Sequence, residues 1–140
     1  MWPGFWLLPA SQAWPPEIDI LEAFGAKAAD GQGSSNMVHV NAISTASGQS
    51  AGAWIGIPGD IYTAYHTYGV DWESDYITYY IDGQAVSQIT TPTDMHQKMF
   101  MLANLAVGGS WPGYATGETG QMKIDYIRAY SSDPNTHTVT

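Results

Sequence analysis

Glu17, Asp19 and Glu22 are the residues of this sequence whose types and spacing point most directly to chemistry. Glu17 and Asp19 alternate with two isoleucines, the period-two pattern of a half-buried strand, so both acids share one face. Glu22 falls on the opposite face of a regular strand. One extra residue in a β-bulge near Ile20-Leu21 would return it to the side of the other two acids.

The bulge also sets the expected distance between the two glutamates. It makes the span from Glu17 to Glu22 behave like about four strand steps, roughly 13 Å between Cα atoms. Side chains that lean toward each other close this to about 5–6 Å between carboxylates, which is the range of retaining rather than inverting glycosidases. Three acids this close repel one another, so we expect at least one raised pKa, as a general acid requires.

The same segment also permits a helix start. Pro15-Pro16 precedes an acidic first turn, and apolar residues follow at positions 18, 20 and 21. The rest of the chain favours the strand. No segment shows a sustained helical period, and strand-like segments are predicted at 38–43, 53–57, 65–72, 76–81, 84–89, 99–107 and 121–130. Asp82-Gly83 is the strongest hairpin signal, and many short strands predict an all-β antiparallel sandwich.

The composition restricts the partners. With 140 residues the chain is at most one domain, and its net charge of −9 with four Lys and Arg argues against nucleic acid and anionic membranes. No apolar run is long enough to span a bilayer. The chain has no Cys, which excludes disulfides and thiolate metal sites. Six Trp and nine Tyr supply sheet core and also flat platforms for sugar rings.

Several motifs together resemble glycoside hydrolase family 16: WPGFWLLP at 2–9, EIDILE at 17–22, HTYGVDW at 66–72, NLAVGGSWPG at 104–113 and MKIDYIR at 122–128. The five-residue acid spacing is similar to the bulged branch that includes laminarinases and agarases. In their amino-acid sequence the motifs most resemble the bacterial exopolysaccharide glycanases that trim succinoglycan-type polymers.

The resemblance implies a concanavalin A-like jelly roll with a carbohydrate cleft, and retaining hydrolysis of internal β-glycosidic bonds. It makes Glu17 the nucleophile, Glu22 the general acid/base, and Asp19 the acid that orients and tunes the nucleophile. No cofactor is required. Residues 1–130 would be the catalytic domain and 131–140 a polar tail or linker.

Family members usually have further strands before the WPGFW segment, so we expect a jelly roll that is incomplete at its N-terminus. Missing strands would leave exposed sheet edges, a liability for aggregation or self-association.

Further residues are candidates for substrate binding. His39 and Asn41 are expected on the strand beside the acids and facing the cleft, although a solvated sheet face would carry the same residues. Trp111 is expected at the cleft rim, stacked on a sugar ring, with plain turn packing as the alternative. Trp14 is a candidate of the same kind.

Three further residues carry weaker expectations. Trp6 is a candidate platform that lies in an apolar run and would equally suit the core. Asn104 is expected to reach the substrate or to bond at the sheet edge. Asp125 matches the position of a structural Ca²⁺ ligand in the family. A single carboxylate without an acidic cluster makes a poor calcium site, and strong binding is not expected.

The sequence therefore predicts an endo-acting retaining β-glycanase that cuts a β-glucan or a bacterial exopolysaccharide. A non-catalytic carbohydrate-binding jelly roll and an inactive fragment of a larger hydrolase are the alternatives. A polymeric substrate implies an extracellular or periplasmic location, although the first residues lack the charged region of a signal peptide.

Overall fold

The structure, a computed structural model, describes residues 1–25, 30–46, 48, 50–112, 119–133 and 135. Among these residues no helix is long and apolar enough to cross a membrane. A 3₁₀ helix at Thr93–Met95 lies between the last two strands. The strands are β1 (Trp2–Pro9), β2 (Glu17–Glu22), β3 (Met37–Ile43), β4 (Ala53–Gly56), β5 (Tyr68–Trp72), β6 (Tyr76–Ile81), β7 (Gln84–Thr90) and β8 (Met99–Ala106).

Two antiparallel sheets pack on a common core. The larger sheet has the order β4-β3-β2-β1-β8, and the smaller one has the order β5-β6-β7. Ile18, Ile20 and Val40 of the larger sheet share a buried cluster with Ile77 and Tyr79 of the smaller sheet. The predicted all-β antiparallel sandwich is confirmed. Self-association through strand edges stays a prediction.

The bulge in β2 has the predicted position. Toward β3, Asp19 pairs with Asn41 and Glu22 with His39, so three steps along β2 match two steps along β3. Toward β1, the pairing also slips between Asp19 and Leu21. Ile20 and Leu21 are both buried in the core. The extra residue thus keeps the apolar side chains inside and brings Glu22 to the face of the other two acids.

The hairpin between β6 and β7 turns at the predicted residues. Asp82 and Gly83 have φ values of 50° and 75°. Positive φ at both central residues is what a type I′ turn requires, and its twist matches that of the two strands. The hairpin prediction is confirmed.

The structure differs from the sequence expectations at three segments. The first apolar run carries no strand prediction, yet it forms β1. The strand predicted at 65–72 begins only at Tyr68. The strand predicted at 121–130 is wrong: no strand forms there, and Ile124, Tyr126 and Ile127 are about half exposed. Alternation marks the two faces of a segment, but a strand also needs a neighbour, and no described strand pairs with this one.

The predicted tail lies only partly within the described residues. Residues 131–133 and 135 are exposed and outside strands, while 134 and 136–140 are not described.

Asp94 fastens the loop after β3 to the 3₁₀ helix. Its carboxylate accepts hydrogen bonds from the Ser44 hydroxyl at 2.6 Å, the Thr45 backbone N–H at 3.0 Å and the Thr45 hydroxyl at 3.2 Å, and also from the Ala46 backbone N–H at 3.3 Å. Desolvation acts to raise the pKa of Asp94, but these bonds outweigh it and hold the pKa below its usual range. The ionised carboxylate therefore stabilises the folded state.

We expect Asp94→Asn to lower the free energy of unfolding by about 1–2 kcal/mol at neutral pH, because charge-assisted bonds become neutral ones. A lowered folded-state pKa gives stability above the unfolded pKa that is lost as pH falls. Thermal melts should therefore show a gap between variant and wild type that closes below the ordinary value of 3.8. Asp71→Asn, at an exposed carboxyl on β5, is the matched control. A gap that does not depend on pH would contradict this role.

Candidate active site

Two rows of side chains cross the larger sheet and bring the predicted site residues together. In the first row, Asn104 pairs with Gly4, Gly4 with Glu22, Glu22 with His39, and His39 with Trp54. Each residue comes from a different strand, from β8 through to β4. A single line across five strands thus places the predicted acid/base among polar and aromatic neighbours.

The second row contains Asp19, the middle one of the three acids on the bulged strand. Trp6 pairs with Asp19, and Asp19 pairs with Asn41. Residues of both rows and some of their neighbours line a cleft of about 190 Å³: Trp2, Gly4, Trp6, Glu17, Asp19, Glu22, Asn104 and Ala106. This volume is below that of typical small-molecule sites, which measure about 300–1,000 Å³.

Asp19 carries the raised pKa that the crowding of three acids predicts. Only 2% of its surface is exposed. Burial first, then the charge of Glu22 and the nearby Glu17, raise its pKa from 3.8 to about 10, against a smaller lowering by a hydrogen bond from Asn41. Among the described residues, Asp19 Oδ2 is a buried oxygen without a hydrogen-bond partner. A side-chain hydrogen bond between Asp19 and Glu17 also favours the protonated form of Asp19, so the group between the two glutamates is neutral at pH 7.

Each glutamate is held by an indole N–H. Trp2 Nε1 donates to Glu22 Oε1 at 3.2 Å, and Trp14 Nε1 donates to Glu17 Oε2 at 2.7 Å. The other Glu22 oxygen lies 3.2 Å from His39 Nδ1, which donates to it when that nitrogen carries the proton. These contacts fix the direction of both carboxylates toward the cleft.

A hydrogen bond joins two further candidates, Trp6 and Asn104. Trp6 Nε1 donates to Asn104 Oδ1 at 2.7 Å across β1 and β8. Both residues line the cleft. The bond occupies the Asn104 oxygen and leaves its amide nitrogen as the group that can reach a ligand.

Trp111 lies in an aromatic cluster, and its stacking on a sugar ring at the cleft rim stays a prediction. Its ring centroid is 4.7 Å from that of Phe24, 5.0 Å from that of His39, 5.9 Å from that of Trp54 and 6.0 Å from that of Trp2. Its Nε1 donates to Asp30 Oδ2 at 2.9 Å, which holds the pKa of that carboxyl below its usual range. The cluster thus braces the side of the cleft next to Glu22 and His39.

The sequence reasoning missed Trp2 and Trp54 as site residues. Trp2 has the same parity as Gly4 and Trp6 on β1, and that parity would have signalled its position once the first run was assigned to a strand. Trp54 becomes a neighbour only through its pairing with His39, which no local pattern reveals.

Asp125 stands outside this site. It is exposed and lies in the segment without strand structure. Within the described residues, no three His, Asp or Glu side chains are grouped closely enough to hold a metal ion. The described part of the chain therefore provides no set of ligands for a calcium ion at Asp125.

Comparison with known proteins decides the family. The model of the glycosyl hydrolases family 16 matches residues 1–128. The chain belongs to this family. It is 42% identical over 139 residues to the endo-1,3-1,4-beta-glycanase ExsH of Rhizobium meliloti and 38% identical over 138 residues to the endo-1,3-1,4-beta-glycanase EglC of the same organism. The alignments cover 95% and 97% of this chain but 28% of each relative.

Solved structures agree with this family-16 assignment. The laminarinase from Rhodothermus marinus superposes with a TM-score of 0.69 and 26% identity, over 80% of this chain and 50% of its own. A family 16 enzyme of Bacteroides ovatus, solved with a mixed-linkage glucan product, gives 0.67 and 28%, over 79% and 51%. The chain therefore has the jelly-roll fold class of these enzymes and spans about half of each.

We expect Asp19→Asn to raise the melting temperature at pH 7. The wild-type acid must take up a proton on folding, whereas Asn is a neutral group of the same shape. A raised folded-state pKa gives stability below the unfolded pKa that is lost as pH rises toward about 10. The gain should amount to about 1–3 kcal/mol at pH 7, and it should vanish near pH 3. A melt that shows Asn less stable at pH 7 would contradict a protonated Asp19.

We expect His39→Ala to lower turnover more than it lowers stability, because His39 contacts Glu22 directly. Glycan hydrolysis and a thermal melt of the same preparation would measure both. His39→Gln, which retains a donor, should restore part of the rate. Equal losses of rate and stability would indicate a packing role only.

Proposed function

We propose that this chain carries the catalytic centre of an endo-acting retaining β-glycanase. The observation that supports this most is the bulged strand, which places two ionisable glutamates on either side of a neutral Asp19 in one cleft. A binding module has no need of such a costly buried acid. The chain spans 28% of the length of its two bacterial relatives. The activity of the whole protein is therefore proposed here as well.

In the proposed mechanism Glu17 attacks the anomeric carbon while Glu22 protonates the leaving oxygen. Water, deprotonated by Glu22, then releases the sugar from Glu17 with net retention. Asp19 donates its hydrogen bond to the Glu17 carboxylate, which directs the nucleophile and stabilises it again as it leaves in the second step. The indole N–H of Trp14 is a second donor to Glu17.

We propose a β-glucan with 1,3 or mixed 1,3-1,4 linkages as the substrate, or an exopolysaccharide with the same linkages. The names of both bacterial relatives, and the glucan product bound to the Bacteroides ovatus enzyme, support this class. Trp14 is 64% exposed beside Glu17 and offers a face to a sugar ring. A polymer of this kind lies outside the cytoplasm, so we propose an extracellular or periplasmic site of action.

The proposal is tested by reducing-sugar release from β-1,3-glucan, mixed-linkage glucan, succinoglycan and agarose. We expect hydrolysis of one of the glucan-type polymers and a loss of at least about 10³-fold in Glu17→Gln. Proton NMR of the first product should show the β anomer. If the protein melts cooperatively but hydrolyses none of the polymers, the result would favour the non-catalytic binding module. An α anomer as the first product would overturn the retaining mechanism.

A second variant separates the two glutamates. Glu22→Gln should lose most activity on polymers but much less on an aryl β-glucoside whose leaving group needs no protonation. Glu17→Gln should lose activity on both. Equal losses in the two variants on the aryl substrate would contradict the assignment of roles. Asp71→Asn, an exposed change on β5, should leave both rates unchanged.

A further inference from the structure

The imidazole of His39 is enclosed by three groups besides Glu22. The ring centroids of Trp54 and Trp111 both lie 5.0 Å from that of His39, at interplanar angles of 50° and 78°. A Cβ atom on Gly52 would lie 2.5 Å from His39 Nε2, so the backbone there is close to the ring. Because His39 Nδ1 lies 3.2 Å from Glu22 Oε2, the enclosure keeps this nitrogen on the carboxylate.

Of the two indoles in this enclosure, Trp111 is the one outside a strand. Trp54 lies on β4 and pairs with His39 in the sheet. Trp111 lies in the loop after β8, which passes through Gly108 and Gly109 at φ values of 69° and 129°. Loops are generally more mobile than the elements that they connect. The position of the Trp111 ring therefore depends on the contacts of its own side chain.

A hydrogen bond to Asp30 fixes the indole of Trp111. Trp111 Nε1 donates to Asp30 Oδ2 at 2.9 Å, between residues 81 positions apart. Asp30 Oδ1 accepts the backbone N–H of Gln32 at 2.9 Å, so the carboxylate is itself oriented. The direction of the bond to Trp111 is unambiguous, because an indole has one polar group and that group can only donate. The bond therefore defines where the nitrogen edge of the indole lies.

These side chains form one continuous path of direct contacts. Asp30 bonds to Trp111, Trp111 packs against His39, and His39 contacts Glu22. Asp30 itself is exposed and lies outside the group of residues that line the cleft. An effect of its hydrogen bond on Glu22 must therefore pass through Trp111 and His39.

We propose that Asp30 is a positioning residue of the active site, which holds Trp111 against His39 and so keeps His39 Nδ1 directed at Glu22. The inference rests on the proposed function for its catalytic meaning, in which Glu22 protonates the leaving oxygen. In Asp30→Ala the indole loses its hydrogen bond and His39 gains freedom to turn. Glu22 is then less often directed at the leaving oxygen.

The first test observes His39 by nitrogen-15 NMR of protein labelled at histidine, with its signals assigned from His39→Gln. In the wild type we expect separate signals from the two ring nitrogens, because Nδ1 faces Glu22 and Nε2 does not. In Asp30→Ala we expect the two signals to move toward each other, since a freer ring samples both tautomers.

Two further variants serve as controls. Asp30→Asn removes the charge but keeps an oxygen that accepts from Trp111, so its His39 signals should stay close to those of the wild type. Asp60→Ala is the matched control, because Asp60 Oδ1 accepts the backbone N–H of Tyr62 as Asp30 accepts that of Gln32. It should leave the His39 signals and the rate of hydrolysis unchanged.

Hydrolysis provides the second readout. Asp30→Ala should lower kcat/KM on a polymer about two- to five-fold, the effect of one hydrogen bond. The loss should be smaller on an aryl β-glucoside whose leaving group needs no protonation. In Trp111→Phe the indole donor is absent, so the addition of Asp30→Ala should cause no further loss.

Unchanged His39 signals in Asp30→Ala, or an equal change in Asp60→Ala, would overturn the inference. An Asn variant that behaves like the Ala variant would also overturn it, because charge and not the hydrogen bond would then act on His39. Losses that add in the double variant, or equal losses on the polymer and the aryl substrate, would contradict a role through Trp111 at Glu22. The NMR measurement needs no turnover, so the expected signals without hydrolysis would contradict only the proposed function.

Discussion

The site depends on one extra residue in β2. Without it, the alternation of a strand would place Glu22 in the core or Leu21 in the cleft, and both outcomes carry a high cost in free energy. The bulge removes the conflict between the hydrophobic pattern and the acid spacing. It also concentrates three acids on one face, and the rest of the sheet is arranged to accommodate that concentration.

The structure accommodates the three acids by keeping one of them neutral and giving hydrogen-bond donors to the other two. The middle acid gives up its charge by keeping a proton, while the two outer acids receive indole and imidazole donors. The donors come from β1, from β3 and from the segment before β2, so no single strand carries the site. An acid that is kept neutral by burial costs stability, and this cost is typical of functional rather than structural positions.

Short sequence patterns predicted the structural features that depend on a few neighbouring residues. The parity of Glu22 predicted the bulge, and Asp82-Gly83 predicted the hairpin, because both features depend on a few neighbouring residues. The patterns did not predict that the raised pKa belongs to Asp19, since that follows from burial between β1, β3 and Tyr79. The strand predicted at 121–130 was wrong because alternation does not reveal whether a partner strand is present.

The two cross-strand rows have a consequence for how the chain folds. The bond between Trp6 and Asn104 links the rows and joins residues separated by 98 positions, whereas Glu22 and His39 are separated by 17. Contacts between distant residues form slowly, because loop closure costs entropy before any contact compensates for it. The β2–β3 part of both rows is therefore expected to assemble early, and the cleft closes only when β8 reaches β1. A growing chain on the ribosome thus has no complete site until β8 has been synthesised.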